Sequence, residues 1–556
     1  MSQAAGRDPP AAVWRSVAFP VFLLIVIVGA TLRLVRLDDR PMHGDEAVHA
    51  IKFGDLLEHG RYVYDPREYH GPALNYLTWP VVRLQGKQRL IDVSEIDLRL
   101  LPACGGILLI ALVWFLRAEL GLPATLLAAL MTAGSPGLLF YSRYYIQEIL
   151  LAAFTFGAII AWWRLRLSAS GRGDQPLQFA PDNSGRANMG LVVLGLCLGM
   201  MYASKETCVI AWFAMALAAA AITDFRTIVW QRSAFDLLVV LAIAAAVSAV
   251  FFSSFLQNPH GVIDSVTSYL HYLPRAGGGG SAGPHDHPWY SYLRWLFWQS
   301  PGNVAWGSET AIAVLALFGL LVAATGWGID GRRLAFARFI SVYTVTMILV
   351  YSLIPYKTPW CAVGFLHGLT LMAAVGGAAL LTRAAGTLGR LLVGTLITAA
   401  LIHLGWQACR INFVAFEDPR NPYVYAHTSA EVPRLVERLR QIAANHPDGL
   451  AMHVQVICPD DDYWPLPWTM RDFRRVGWFR EVPKGPPAPV IVTQPEMESS
   501  ILDYLYVLQP PGQRPLYFEL NRDGSASGYH LRPSVPLRVY VRSDLWQAYR
   551  ERDGRG

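Results

Sequence analysis

The chain has 556 residues, 53% of them hydrophobic and only 16% charged, against about a quarter charged in soluble domains. That composition excludes disordered, collagen-like and disulfide-scaffold classes, and a net charge of +6 is too mild for a nucleic-acid partner. What remains is a polytopic membrane protein with a soluble appendage.

Charge divides the chain. Residues 410–556 carry 18 Lys/Arg and 18 Asp/Glu, while residues 1–409 hold the other 29 basic and 23 acidic residues. This contrast predicts an α-helical membrane domain over 1–409 and a C-terminal soluble α/β domain over 410–556. The six cysteines show no metal-ligand spacing and read as small buried hydrophobes.

A spanning helix needs about 20 mostly apolar residues. In chain order the segments 17–36, 99–116, 123–140, 147–163, 188–204, 207–223, 235–255, 307–327, 338–355, 361–381 and 391–409 meet this, eleven in all. The arginines at 7, 15, 164, 166, 172, 186, 226, 232, 332, 333, 338, 383 and 390 fall on one side of that count. That side is therefore cytoplasmic, in an inner (cytoplasmic) membrane. The N-terminus then lies inside, and the loops 37–98 and 256–306 and the C-terminal domain lie outside. The loop 164–187 reads as a flexible linker and the GGGG at 277–280 as a hinge. No internal repeat is visible, which weakens a transporter built from inverted halves.

The polar residues beside these spans carry the functional signal. The first outer loop opens RPMHGDEAVHA. Gly44 breaks the chain, and Asp45 and Glu46 start an amphipathic helical pattern. Two readings compete for this acid pair: favourable charges at a helix start, or a carboxylate at the mouth of a membrane cavity that accepts a proton. His70 follows in YDPREYHGP, either a turn histidine or a group aimed at a phosphate or sugar hydroxyl. FYSRYYIQE places Arg143 and Glu148 at the start of the fourth span, YASKETC puts Lys205 in a minimal turn, and IPYKTPW puts Tyr356 and Lys357 in another. Interface anchoring competes with a functional role for each of them. PHDHPW holds His285 and His287, a weak metal signal and a candidate substrate loop, beside aromatics of an interfacial helix whose faces could also stack on sugars. Jointly, acids and cations on one face of several spans suit a lipid-linked phosphate: the cations hold the phosphate and an acid handles the proton. In the C-terminal part the pattern predicts a helix over 430–445, strands over 451–457, 489–493, 515–520 and 535–541, and a closing helix over 543–551.

RPMHGDEAVHA, YDPREYHGP, FYSRYYIQE, ASKET and YKTPW, in this order over roughly residues 30–410, resemble the GT-C superfamily of membrane glycosyltransferases. More closely they resemble the flippase-activity-associated family, which is related to dolichyl-phosphate-mannose–protein mannosyltransferases and aminoarabinose transferases. The resemblance implies a polyprenyl-phosphate-linked sugar as donor and a lipid, glycan or protein as acceptor. It implies Asp45 as base, with Glu46 beside it, and Glu148 as a second acid. His70, Arg143, Lys205, Tyr356 and Lys357 would serve the donor phosphate. Relatives differ in metal dependence, so no cofactor is assigned and a divalent metal stays open. The resulting expectation is an inverting glycosyltransferase working at the outer face. Its rivals are a lipid-linked-sugar flippase or flippase accessory, and a non-catalytic membrane scaffold.

Overall fold

The computed structural model describes residues 9–67, 70–169, 183–223, 230–277, 285–297, 308–520 and 528–552. Much of the expected linker 164–187 and hinge 277–280 lies outside the described residues, as do Arg7, Arg172 and Arg226. Among the described residues seven helices are long and apolar enough to cross a membrane: Val17–Leu34, Glu95–Leu120, Glu148–Leu167, Ala234–Phe252, Gly331–Leu353, Pro359–Arg383 and Gly386–Phe413. The expected span 123–140 is instead a pair of helices, Leu122–Gly134 and Pro136–Ser142, bent by 57°. Ser135 is extended there and Pro136 offers no N–H, so the first helix must stop and a second starts with proline in its first turn. The other three expected spans are the shorter apolar helices Asn188–Ser204, Cys208–Ile222 and Thr310–Thr325.

Glycine allows one close helix crossing. A Cβ on Gly376 would stand 2.2 Å from the Leu315 carbonyl oxygen, and one on Gly319 would stand 2.1 Å from that of Met372. The helices Thr310–Thr325 and Val363–Arg383 therefore meet backbone to backbone, as small residues permit in a bilayer. By contrast, helix Gly386–Phe413 exposes Leu388, Leu391, Leu392 and Leu396, which suits a lipid-facing position.

The C-terminal domain carries six strands: β1 (His453–Ile457), β2 (Arg475–Phe479), β3 (Val490–Thr493), β4 (Tyr517–Glu519), β5 (Tyr529–Arg532) and β6 (Val535–Arg542). The order is β2-β1-β3-β6-β4, with β5 also paired to β6. β1 runs parallel to β2 and β3, and β6 is antiparallel to its neighbours. Four of these strands match the expected ones; β2 and β5 were not expected. The helix Glu431–Ala443 packs Leu435, Val436 and Leu439 into the same core as Val454, Val490 and Val539.

Two pieces of this domain dock on the membrane part. Trp468 Nε1 donates to Glu95 Oε1 at 2.7 Å, and Arg471, stacked 3.9 Å from the Trp468 ring centroid, donates to the Val93 carbonyl at 2.9 Å. The lead-in segment 421–428 makes the second contact. Tyr141 Oη donates to the Tyr423 carbonyl at 3.0 Å, and Thr428 Oγ1 donates to the Met42 carbonyl at 2.7 Å. This segment carries Ala426 at φ 48°, a left-handed conformation unusual for alanine that contacts on both sides hold in place.

Candidate functional site

The first outer helix, Gly44–His59, begins with a capping box. His43 Nδ1 accepts the Asp45 N–H at 3.1 Å, and Glu46 Oε2 accepts the His43 N–H at 3.0 Å. His43 Nε2 donates to the Tyr425 carbonyl at 2.9 Å. With one nitrogen accepting and the other donating, this geometry belongs to the neutral ring protonated at Nε2. The box turns two adjacent acids in opposite directions. Asp45 is exposed, and its carboxylate takes no hydrogen bond from the described residues. Glu46 is 0% exposed and forms a two-point pair with the equally buried Arg99, at 2.8 Å to each oxygen. The Tyr145 N–H adds a further bond at 2.8 Å. Burial alone would raise the Glu46 carboxyl, but Arg99 prevails and holds it at about 2. Glu46 thereby joins the start of the Gly44–His59 helix, the 95–120 helix and the 144–147 turn.

The Arg143 guanidinium donates to the carbonyls of Leu32 (3.0 Å), Val35 (2.7 Å) and Arg36 (2.7 Å) and lies over the Phe413 ring. It satisfies carbonyls at and just beyond the end of the first spanning helix.

Three of the expected residues lie around one turn. Lys205, at the break between helices Asn183–Ser204 and Cys208–Ile222, is ion-paired with Glu148 at the start of the Glu148–Ala169 helix; both are 5% exposed. Burial opposes the Lys205 ammonium, but Glu148 and Glu206 outweigh it and hold its pKa well above the usual lysine value. Glu148 Oε2 is buried without a hydrogen-bond partner among the described residues. Beside this pair His70 Nδ1 donates to Glu206 Oε2 at 3.1 Å. The His-Gly-Pro turn reaches that far because Gly71 lies flat against the 203–204 backbone. A Cβ there would stand 2.1 Å from the Ala203 carbonyl oxygen.

The Tyr356–Lys357 turn pairs with the histidine loop. The Lys357 N–H donates to the His285 carbonyl at 2.9 Å, and the His287 N–H donates to the Pro355 carbonyl at 3.0 Å. Lys357 is 1% exposed; its ammonium donates to the carbonyls of His287 (3.2 Å) and Ile354, and burial lowers its pKa. His285 Nδ1 lies 2.6 Å from Tyr425 Oη. Among the described residues no group of three or more His, Cys, Asp or Glu is placed to hold a metal ion.

Beside the Glu148–Lys205 pair a small cavity lies between the spanning helices. Leu151, Ala152, Ala211 and Met347 line it with apolar surface, and Thr155, Tyr343 and Tyr351 supply hydroxyls. Trp360 and Cys361, just after Lys357, close one wall. A second, smaller cavity shares Ala152, Thr155, Tyr343 and Gly364 with the first and ends at the buried His367. The whole forms a narrow, mostly apolar lane with a charged head.

The family model for dolichyl-phosphate-mannose-protein mannosyltransferase matches residues 76–256, and no curated protein matches the chain. Solved structures match nearly all of it. ArnT from Cupriavidus metallidurans in the apo state superposes with a TM-score of 0.61 at 14% identity, covering 96% of this chain and 98% of that one. The same protein bound to undecaprenyl phosphate gives 0.58 at 14% identity over the same shares. The archaeal oligosaccharyltransferase AglB from Archaeoglobus fulgidus, in complex with an inhibitory peptide and a dolichol-phosphate, gives 0.58 at 14%, covering 96% of this chain and 77% of that one.

The chain has the GT-C glycosyltransferase fold. Within this GT-C framework several working residues escaped the sequence reading. Arg99 and Glu206 pair with acids or histidines far away in sequence. Glu309, 0% exposed, accepts from Ser135 Oγ (2.9 Å), the Gly137 N–H (2.9 Å) and Tyr423 Oη (3.0 Å), and so braces the bend at Pro136. Tyr425 and His427 come from beyond the last spanning helix. Ionisable residues inside apolar helices are costly without a partner, and that rule, applied to Arg99 and Glu309, was the signal available.

Proposed function

We propose that this protein is a glycosyltransferase that moves a sugar from a polyprenyl-phosphate donor to an acceptor on the face carrying the C-terminal domain. The observation that carries this reading is the Glu148–Lys205 pair at the head of an apolar lane between spanning helices, with the exposed Asp45 on the same face. An isoprenoid chain suits the lane, and its phosphate meets Lys205 at the head. The ArnT and AglB structures with undecaprenyl phosphate and dolichol-phosphate add support by likeness of fold.

In the proposed reaction Asp45 removes the proton of an acceptor hydroxyl, and that oxygen attacks the anomeric carbon from the side opposite the phosphate. The bond from anomeric carbon to phosphate oxygen breaks, its electron pair stays on the phosphate oxygen, and the departing polyprenyl phosphate, one negative charge richer, meets Lys205, a fixed cation that replaces water. Lys357, on the turn next to Trp360, is a further cation for the phosphate. The anomeric configuration inverts. The basic-loop bias places this face outside the cytoplasm, and a reporter active only outside, fused after Gly556, tests that orientation.

The test of function is a purified preparation given a polyprenyl-phosphate donor with a labelled sugar. Release or transfer of label from the lipid is the expected result. Movement of intact donor between leaflets without release would replace this reading with a flippase, and neither activity would leave a scaffold.

A further inference from the structure

Asp45 stands beside a chain of aromatic rings that shares only Trp360 with the donor lane. His43, one turn away, has its ring 5.7 Å from Trp360, which lies 5.8 Å from Tyr425. Tyr425 continues to His285 at 5.5 Å, and His285 to Tyr356 at 4.9 Å. On the other side Trp464 closes on the helix start: a Cβ on Gly44 would touch the Trp464 Cβ at 3.6 Å. Tyr356, Trp360, Tyr425 and Trp464 are all half-buried, neither packed away nor fully exposed. They come from three separate parts of the chain: a turn between spans, the lead-in segment and the sheet domain. The Tyr425 backbone holds His43, which in turn sets Asp45.

We infer that this aromatic surround is the acceptor subsite and that the acceptor is a carbohydrate. The inference rests on the proposed function and names the substrate class at the same site. A pyranose ring has one face of C–H bonds and an edge of hydroxyls. The C–H face suits the negative face of an aromatic ring, and the edge then presents a hydroxyl to a carboxylate. Asp45 is the exposed acid placed to receive it. Two of the rings belong to the C-terminal domain side of the site, so the acceptor enters between that domain and the membrane helices. That route suits a water-borne glycan better than a lipid approaching through the bilayer.

The experiment uses the full chain in nanodiscs, with cellopentaose, maltopentaose and a chitin oligomer as probes and a Ser/Thr-rich peptide as comparison. Saturation-transfer NMR reads which ligand protons touch the protein, and undecaprenyl phosphate binding is measured on the same samples. The expected result is saturation of sugar C–H protons for at least one oligosaccharide. Affinity should fall about two- to tenfold in each of Trp360→Ala, Trp464→Ala and Tyr425→Leu. Undecaprenyl phosphate binding should stay unchanged in Trp464→Ala, which shows that this variant folds. Saturation of the peptide alone, saturation of no oligosaccharide, or equal sugar affinity in all three variants would overturn the inference. Failure of wild type to bind undecaprenyl phosphate would instead overturn the donor reading.

Discussion

Two acid–base pairs sit on the same face of this protein and differ in what surrounds them. Around Glu46 and Arg99 every direction is closed: both carboxylate oxygens meet the guanidinium, two backbone N–H groups complete the shell, and Arg99 spends its remaining donors on the carbonyls of Leu37 and Arg40. Around Glu148 and Lys205 the shell is open on one side. A carboxylate oxygen has no partner among the described residues, and a cavity begins where the pair ends. Burial is nearly the same in both pairs, so what distinguishes them is the completeness of the hydrogen-bonded shell.

Glu46→Gln should show the largest effect. Breaking a buried ion pair while its partner stays buried costs about 3–5 kcal/mol, so the loss should appear in thermal unfolding of the detergent-solubilised protein. The same pair makes a pH prediction. The folded Glu46 carboxyl is held at about 2, below its ordinary 4.5. Its stabilisation is present above about pH 4.5 and is lost as pH falls towards 2. A Glu46→Gln protein whose unfolding temperature matches wild type would erase the contrast between the two pairs.

Asp45→Asn comes next and acts on the other property. The side chain is exposed and Asn serves equally at a helix start, so stability should hold. Sugar transfer should fall at least about a hundredfold, the low end of general-base contributions. Normal transfer would remove Asp45 as the base.

Lys205→Met tests the open pair directly. A charge-assisted hydrogen bond to a lipid phosphate is worth about 1.5–3 kcal/mol, a roughly tenfold to hundredfold weakening of undecaprenyl phosphate binding. Unfolding is the control that separates this loss from the cost of leaving Glu148 unpaired. Equal lipid affinity would make this pair a structural joint like Glu46–Arg99.

The smallest effect belongs to the domain contact. Trp468→Phe removes the bond to Glu95 and keeps the ring, at a cost of about 1 kcal/mol. Hydrogen exchange should rise in residues 464–471 and 93–95, with little change in β1 or β3.

The sequence reading reached the membrane class, the positions of the apolar helices and the face on which the polar residues gather, because each depends on local pattern. It read 123–140 as one span although Pro136 was in view, since composition alone does not tell a bent crossing from a straight one. β2 was missed because Gly477 interrupts RVGWF, and β5 because YHLR is short and half polar. The resemblance implied Asp45 as base with Glu46 beside it, but nothing local showed that one would be exposed and the other buried. The residue that separates them, Arg99, lies 53 positions further on. Lys205 and Glu148 are likewise 57 positions apart. Motif order exposed the players, and only the fold could assign the pairs.

The segment 421–428 has a consequence for how the protein comes into being. Tyr423, Tyr425 and His427 reach back to Glu309, His285 and Tyr144, yet they leave the ribosome only after the last spanning helix. A chain arrested at Phe413 would hold every spanning helix, Asp45 and the Glu148–Lys205 pair, but His43 would lack the carbonyl that orients it and Glu309 would lack the Tyr423 hydroxyl. Biosynthesis thus completes the contacts around His43 and Glu309 only when the C-terminal segment settles on the membrane helices.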